Sequence, residues 1–529
     1  MADRLYPLLM KPGIKRDGTP FQGEYCTDGQ WMRFQRGRPK KMGGYVALPY
    51  ITYSTTHNTI LNLMIFSSLG QTYYAVYHGE LTKGSGYVDI YANGEVFMQM
   101  GGSPKFALFE GPVSYNGTPH FLIQRVQDFN DINSNVESDL YIFPLNKGGN
   151  IPFNAVSLNI TDANSQRINL NGGMRLVPPF LFVWGMNGAV AWSSSSNIKD
   201  FTIKENTNTP GSLSISNDKV IQGYPLRAGA QSPAILFWTL SSLVRLLNVS
   251  PDSYDFKTDV ISKNVSILSR LSVVEYDGLF LWPGTDRFFV YNGTVQEVPN
   301  TLNLNYFFDN VDMTRRQQVV GVRNQKYGEI WWFYCDKRDS KPYNTRAVIY
   351  NKRENTWYDT KINRDAAWYD DATGVMFAAG KAKDTDTVWQ VWQHEQGTAG
   401  QDYQQKVFPI PASLQTPVIS WAAVGPEKEE MGLDRQIQFK RLEPDFILNK
   451  GVPDGNAPSL KVDLISRLYA QSVPTTTSIG TIEGVLDATP ATEKLTQAVT
   501  GRQMSFVFSS EDDFEMGQPL VKFGVGGVQ

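Results

Sequence analysis

Residues 276–299 read YDGLFLWPGTDRFFVYNGTVQEVP, two and a half short β-strands separated by tight glycine turns. The strands FLW and RFFVY are built from aromatic and β-branched residues, which suit a pleated, half-buried surface. Asp277-Gly278 and Asn292-Gly293 sit between apolar runs, where a type I′ hairpin turn needs two residues tolerant of positive φ. A hairpin of this size cannot stand alone, so the stretch predicts a β-meander covered by other sheets. Its Trp282, Phe288, Phe289 and Tyr291 are then packing residues, and the stretch is the inner hairpin of one sheet among several.

The same grammar recurs along the chain: IYANGEVFM at 90–98, SYNGTPHFLI at 114–123, VWGMNGAVAW at 183–192, VEYDGLFLW at 274–282 and VYNGTVQEV at 290–298. Each is an apolar strand ending near Tyr or Trp, then Asn-Gly or Asp-Gly, then another apolar strand. A long array of such antiparallel units is the sequence style of a β-propeller, whose blades take roughly 40 to 50 residues. A stacked sandwich would share this texture. The reading is therefore an all-β chain with a β-propeller-like body of about six to seven antiparallel blades over 46–420. An extended N-terminal arm and first hairpin (1–45) precede it. A C-terminal β-sandwich-like module (421–529) follows, where QFKRLEPDFIL, LKVDLISRLYA and RQMSFVFSS alternate with period two. A short helix is expected only within 487–500.

Composition bounds the function. The 529 residues carry 12 Trp, 25 Tyr and 29 Phe with 19% charged residues, a mix that favours packed sheets over helical bundles. A formal charge of −3 excludes a globally basic nucleic-acid binder. Two cysteines, Cys26 and Cys335, fall short of a disulfide framework and are expected to be free thiols of a protein assembled in a reducing cytosol. No signal peptide is expected at the start, and the longest apolar run, 234–247, is broken by Thr, Ser and Arg, so no membrane span is expected.

Chemistry-bearing motifs are scarce. His57, His78, His120 and His394 do not pair at metal-ligand spacing, and no phosphate loop is present. Ser196 and Lys199 match a Ser-x-x-Lys spacing but precede a loop rather than open a helix. Asp370, Asp371, Asp384 and Asp386 form the best acidic clusters and are read as solvated turn carboxylates. No metal and no cofactor is expected. Arg33, Arg36, Arg38, Lys40 and Lys41 form a basic cluster suited to phosphate or partner contact. The polar loops 127–139 and 203–212, with Asn130, Asn133, Asn135, Asn206 and Asn208, are long enough to reach a lumen and are the candidate gate loops.

Several stretches together resemble the tail nozzle or tail hub proteins of short-tailed bacteriophages, including the packaged-DNA stabilisation type. LMKPGIKRDGTPFQGEYCTDGQWMRFQRGRPKKMGGY at 9–45 is similar to that family's opening, an arm followed by Trp, Arg-Gly and Gly-Gly-aromatic. VAWSSSSNIKDF, IQGYPLRAG, ILFWTLSSLVRL and EIWWFYCDKRDSKPYNTRAVIYNKRENTWY resemble its propeller hairpins in order, and GRQMSFVFSS with FEMGQPLVKFGVGG its terminal module. The family's usual Trp is Tyr45 here, and the closing run lacks its terminal arginines. The resemblance implies a non-enzymatic virion protein assembled in the host cytoplasm. It implies a homo-oligomer, a hexameric ring, that extends the DNA channel below portal and adaptor proteins, beside tail fibre or spike proteins. The ring would contact double-stranded DNA transiently, retaining the packaged genome and letting it pass on infection. The alternative is a carbohydrate-binding or glycan-cleaving propeller, a receptor-binding spike or a sialidase-like enzyme. Sialidases carry repeated Ser-x-Asp-x-Gly-x-Thr-Trp boxes, and here Thr27-Asp28-Gly29-Gln30-Trp31 is only a partial match.

Overall fold

The structure is a computed structural model that describes residues 4–19, 24–54, 59–79, 86–101, 106–126, 138–146, 154–156, 158, 167–203, 209–227, 229, 232–250, 252–383, 385–420, 435–469, 471–485 and 491–528. Among the described residues six four-stranded antiparallel sheets follow one another, and a seventh unit forms four neighbouring strands of a six-stranded sheet. Blade one runs from Thr59–Ser68 to Glu95–Met100, blade two from Phe106–Tyr115 to Asn154–Val156, and blade three from Gly173–Val177 to Gly211–Ser214. Blade four spans Val220–Leu226 to Asp255–Lys263, blade five Val274–Tyr276 to Val295–Glu297, and blade six Val320–Asn324 to Thr356–Lys361. Blade seven comprises Ala366–Asp370, Val375–Gly380 and Val388–His394. Its fourth strand is Tyr45–Ser54, antiparallel to Val388–His394 with Tyr45 opposite His394. The first strands of blades seven and one pack together, so the chain closes on itself as a seven-bladed β-propeller.

The turns explain the register. Asn93-Gly94, Asn116-Gly117, Asn187-Gly188 and Asp277-Gly278 have positive φ at both residues, between +50° and +81°, the conformation that the twist of a two-residue hairpin demands. Asn292-Gly293 departs from this, because only Gly293 has positive φ, at +107°. The stretch 276–299 is also more than an inner hairpin: with Val274 and Glu275 it makes the whole of blade five.

Each blade buries its two faces against its neighbours, so the cores lie in the seams. Blades one and two share Phe66, Tyr73, Phe106 and Phe121, with Phe66 stacked on Phe121 at 4.7 Å. Blades four and five share Trp238, Phe280 and Trp282, the two tryptophans edge to face at 5.4 Å. Phe288 of blade five lies 5.1 Å from Trp332 of blade six. Side-chain amides staple the seams at a distance of one blade along the sequence. Asn62 donates to the Ala107 carbonyl at 2.8 Å, Gln124 to Leu170 at 2.8 Å, and Gln222 to Arg270 at 2.6 Å.

The seam between blades six and seven differs, because its core is continuous with a second body. Trp331, Phe333, Tyr358 and Trp392 join one apolar cluster with Phe439, Phe506, Phe508 and Phe523. That body is a β-sandwich made from both ends of the chain. Arg4–Pro7 pairs with Leu520–Val528, which pairs with Arg435–Glu443. Asp28–Gln30 lies beside Ala412–Gln415 in the sheet that holds Gln503–Ser510, Ser459–Arg467 and Thr475–Glu483. Arg38–Lys41 lies between Met32–Gln35 and Asp513–Met516. Residues 1–45, read as an extended arm and first hairpin, are laid through these described strands into the chain's own sandwich. In the described part of the segment expected to hold a short helix, 491–500, the chain forms the strand Leu495–Gly501, which finds its backbone partners on Arg435–Glu443. Among the described residues no helix is long and apolar enough to cross a membrane.

Candidate functional site

The basic cluster divides between the interior and the surface. Arg33 is 1% exposed. Its Nε and Nη2 donate to Glu329 of blade six at 2.8 and 3.0 Å, and its Nη1 donates to Glu395, just after blade seven, at 2.9 Å. The guanidinium also covers the Tyr327 ring at 3.6 Å. Burial alone would lower its pKa, but Glu329 and Glu395 reverse that and hold it well above the ordinary value. Glu329 is further bound by Tyr358 Oη at 2.6 Å and Trp331 Nε1 at 2.9 Å, so this buried charge has its lone pairs answered.

The hairpin turn Arg36-Gly37 points both backbone N–H groups at Glu354, at 2.7 and 3.1 Å. A carboxylate of blade six already occupies the concavity that could have taken a phosphate. Lys40 pairs with Glu515 at 3.3 Å, and Lys41 is buried, donating to the Glu511 carbonyl at 2.5 Å. Burial pulls Lys41 down to about 8 against the attraction of Asp513 and Asp512. Only Arg36 and Arg38 are left as exposed side chains of the five. The five gate residues, Asn130, Asn133, Asn135, Asn206 and Asn208, lie outside the described residues, as do His57 and Asp384.

The other flagged groups hold the fold. His78 Nε2 meets Asp89 at 2.9 Å and stacks on Tyr53, and His120 Nδ1 meets the Thr118 carbonyl at 2.9 Å. His394 accepts from Arg364 Nε at 3.0 Å and is kept neutral by burial and by Arg364. Asp370 accepts from Ala372 N and Thr373 N within its turn, Asp386 accepts from Lys383 N, and Asp371 pairs with Arg323. Ser196 and Lys199 lie in a loop, where Lys199 covers the Tyr115 ring. Both cysteines are free and buried. Among the described residues no cluster of three metal-ligating side chains occurs.

The propeller axis carries a constellation that no single stretch of sequence displays. At one mouth a cavity of about 300 Å³ is lined by Arg175, Tyr224, Glu275, Arg323, Tyr369 and Asp371. Arg323 donates to the Glu275 carbonyl at 2.9 Å and covers the Tyr369 ring at 4.8 Å. Arg175 covers Tyr224 at 4.6 Å and pairs with Glu110 at 3.2 Å, and burial raises the pKa of Glu110 despite that partner. Deeper in, a chamber of about 80 Å³ shares Asn62, Leu63, Arg175 and Trp368 with the mouth and adds Arg270. These lining residues come from six blades, with Arg270 on the approach to blade five, so their adjacency exists only in the closed ring. The pairing of an arginine with an aromatic on neighbouring inner strands was the one available signal. A trough of about 760 Å³ on the sandwich is lined by Lys450, Asp454, Lys461 and Asp512, and Lys450 is neutralised there by Asp454 and Asp512 at 3.1 and 3.3 Å.

No family model matches the chain, and no curated protein matches it. Solved structures do. The BBS1N–ARL6DN complex aligns at 9% identity with a TM-score of 0.40, covering 66% of this chain and 97% of that one. The Dos1 propeller aligns at 9% identity and 0.34, covering 75% and 96%. Trypanosoma rangeli sialidase with sialic acid aligns at 9% and 0.28, covering 88% and 96%. Identities this low speak to fold alone, and the blade count rests on the strand pairing within this chain.

Proposed function

We propose that the chain is a non-enzymatic structural subunit of a virion, one copy of a ring-shaped tail nozzle that prolongs the DNA channel and retains the packaged genome. One observation supports the reading: the N-terminal stretch that resembles the nozzle family holds residues that lock the two bodies together. Arg16 binds Asp359 of blade six at 2.8 and 3.1 Å. Asp17 caps the helix Leu304–Phe308 through Asn305 N and Tyr306 N. Arg33 binds Glu329 and Glu395, Trp31 packs between Tyr45 and Trp331, and Gly44 lies against Gln396 and Ala399. Such a motif builds a stiff wedge of propeller and sandwich, which suits a wall that withstands a pressurised genome.

The axial cavities are far too small for a duplex, so in this reading DNA passes through the lumen of the ring of copies, and a heterologous interface joins one copy to the next. Cryo-electron microscopy of particles assembled with the chain should place a hexameric ring of it below the portal and adaptor. A particle that carries it as a monomeric spike instead would overturn the reading.

A second reading, a glycan-binding propeller, is favoured by the axial mouth, where Tyr224 and Tyr369 lie beside ion-paired Arg175 and Arg323. A glycan array and a turnover assay separate the two. Binding lost in Tyr369→Ala would support the second reading, and silence in both assays the first.

A further inference from the structure

The inner axial chamber holds a charge that no described wall residue answers. Arg270 is 1% exposed, and its Nε and Nη1 have no hydrogen-bond partner. The Phe106 ring lies 5.9 Å from the guanidinium carbon, at the outer limit of a cation–π contact, which does not replace a counter-ion. The other arginine of the chamber, Arg175, is already neutralised by Glu110. Among the described lining residues there is no carboxylate, whereas the outer mouth has Glu275 and Asp371. A buried cation without partner is costly, and buried unsatisfied groups in a native protein commonly mark an unseen water or ion.

We propose that the chamber is a binding site for a small halide-class anion, drawn there by the unneutralised guanidinium of Arg270, which lines it. Its volume of about 80 Å³ exceeds the roughly 10–15 Å³ a single water needs, so an anion with some of its hydration fits. The lining also includes Leu108, Phe109, Met174, Leu271 and Trp368, and the hydroxyl of Tyr224 and the amide of Asn62 are already spent on the Val273 and Ala107 carbonyls. Such a lining cannot satisfy the several oxygens of phosphate or sulfate, whereas a weakly hydrated spherical anion makes no such demand. Gln222, whose amide also lines the chamber, is spent: its Nε2 donates to the Arg270 carbonyl and its Oε1 accepts from Gly223 N. Burial lowers the Arg270 pKa only to about 10, so the guanidinium carries its charge at neutral pH. The anion would tie blade five to the inner strands of blades one, three and four, and would act as a structural rivet of the ring.

The test is thermal unfolding of the full chain at constant ionic strength while gluconate is exchanged for chloride or bromide, together with anomalous diffraction at the bromine edge from crystals grown in bromide. A saturable rise in Tm of about 2 °C or more is expected, absent in Arg270→Met, with a bromine peak in the chamber within hydrogen-bond distance of Arg270. If Arg270→Met does not fold, the wild-type melt and map decide. Halide-independent Tm with water alone in the chamber overturns the site. A bromine peak without any Tm effect means an adventitious ion only, and it overturns the site too.

Discussion

The guanidinium of Arg33 lies two-pronged on the carboxylate of Glu329, 296 residues away, at 2.8 and 3.0 Å, and joins the sandwich hairpin to the second strand of blade six. Because both groups are buried and Glu395 completes the set, the pair reports the integrity of the junction.

Breaking that pair from one side leaves an uncompensated buried charge. Arg33→Met should cost about 3–5 kcal/mol in urea unfolding, and Arg33→Lys should recover less than half of it, because an ammonium cannot span both carboxylates. A loss below about 1 kcal/mol for Arg33→Met would show that the junction is held by its apolar core alone.

Two glycines separate steric from conformational demands. Gly44 has no positive φ, yet a Cβ there would meet the carbonyl oxygens of Gln396 and Ala399, whereas Gly278 has φ +77° and open space around it. Gly278→Ala should therefore cost about 1–2 kcal/mol from backbone strain. Gly44→Ala should cost more than that and shift the near-UV signal of Trp31 and Trp392. Equal costs, read by chemical denaturation, would contradict the close approach.

Asp365 gives the pH dependence a sign. Burial pushes its carboxyl up to about 8, although Asn344 N–H, Lys381 and Arg364 favour the anion. The unfolded chain releases this proton near 3.8 while the folded chain keeps it, so stability should fall as pH rises from about 4 to about 8, then level off. Asp365→Asn should remove that component. The stability of the variant relative to wild type should then rise across the window by on the order of 3–5 kcal/mol. A difference that does not change with pH in urea titrations at pH 5 and pH 8 would rule out the buried neutral acid.

Ring closure by Tyr45–Ser54 is the feature most exposed to truncation. Without residues 1–54, the strand Val388–His394 loses its partner and presents a bare edge, and the Leu48, Ile51 and Trp389 seam between blades seven and one opens. The truncated chain should lose its cooperative thermal transition and associate in size-exclusion chromatography. A monodisperse product melting within about 2 °C of the full chain would contradict closure by this strand.

The parts of this fold that were legible are those set by neighbours in sequence. Asn93-Gly94, Asn116-Gly117 and Asp277-Gly278 announce two-residue hairpins because positive φ is a local demand. The flanking aromatic strands announce buried faces. What pairs across hundreds of residues left no local mark. Nothing in YVALPYITYS says that it closes the ring on VWQVWQH, and nothing in RLYP says that it borders the C-terminal strand. The basic run 33–41 is illegible for the same reason: Arg33 and Lys41 lie on opposite faces of their hairpin and are both buried, against carboxylates and a carbonyl far along the chain, leaving Arg36 and Arg38 exposed. The axial arginines 175, 270 and 323 each sit in an unremarkable strand or strand approach and meet only when seven blades close.

The most direct test of the nozzle account is electron microscopy, with infectivity titration, of particles assembled in a host that lacks this chain. The account predicts tails truncated below the portal and adaptor, heads that have lost their DNA, and restored genome retention when the chain is supplied in trans. Full heads and normal infectivity without the chain would contradict it.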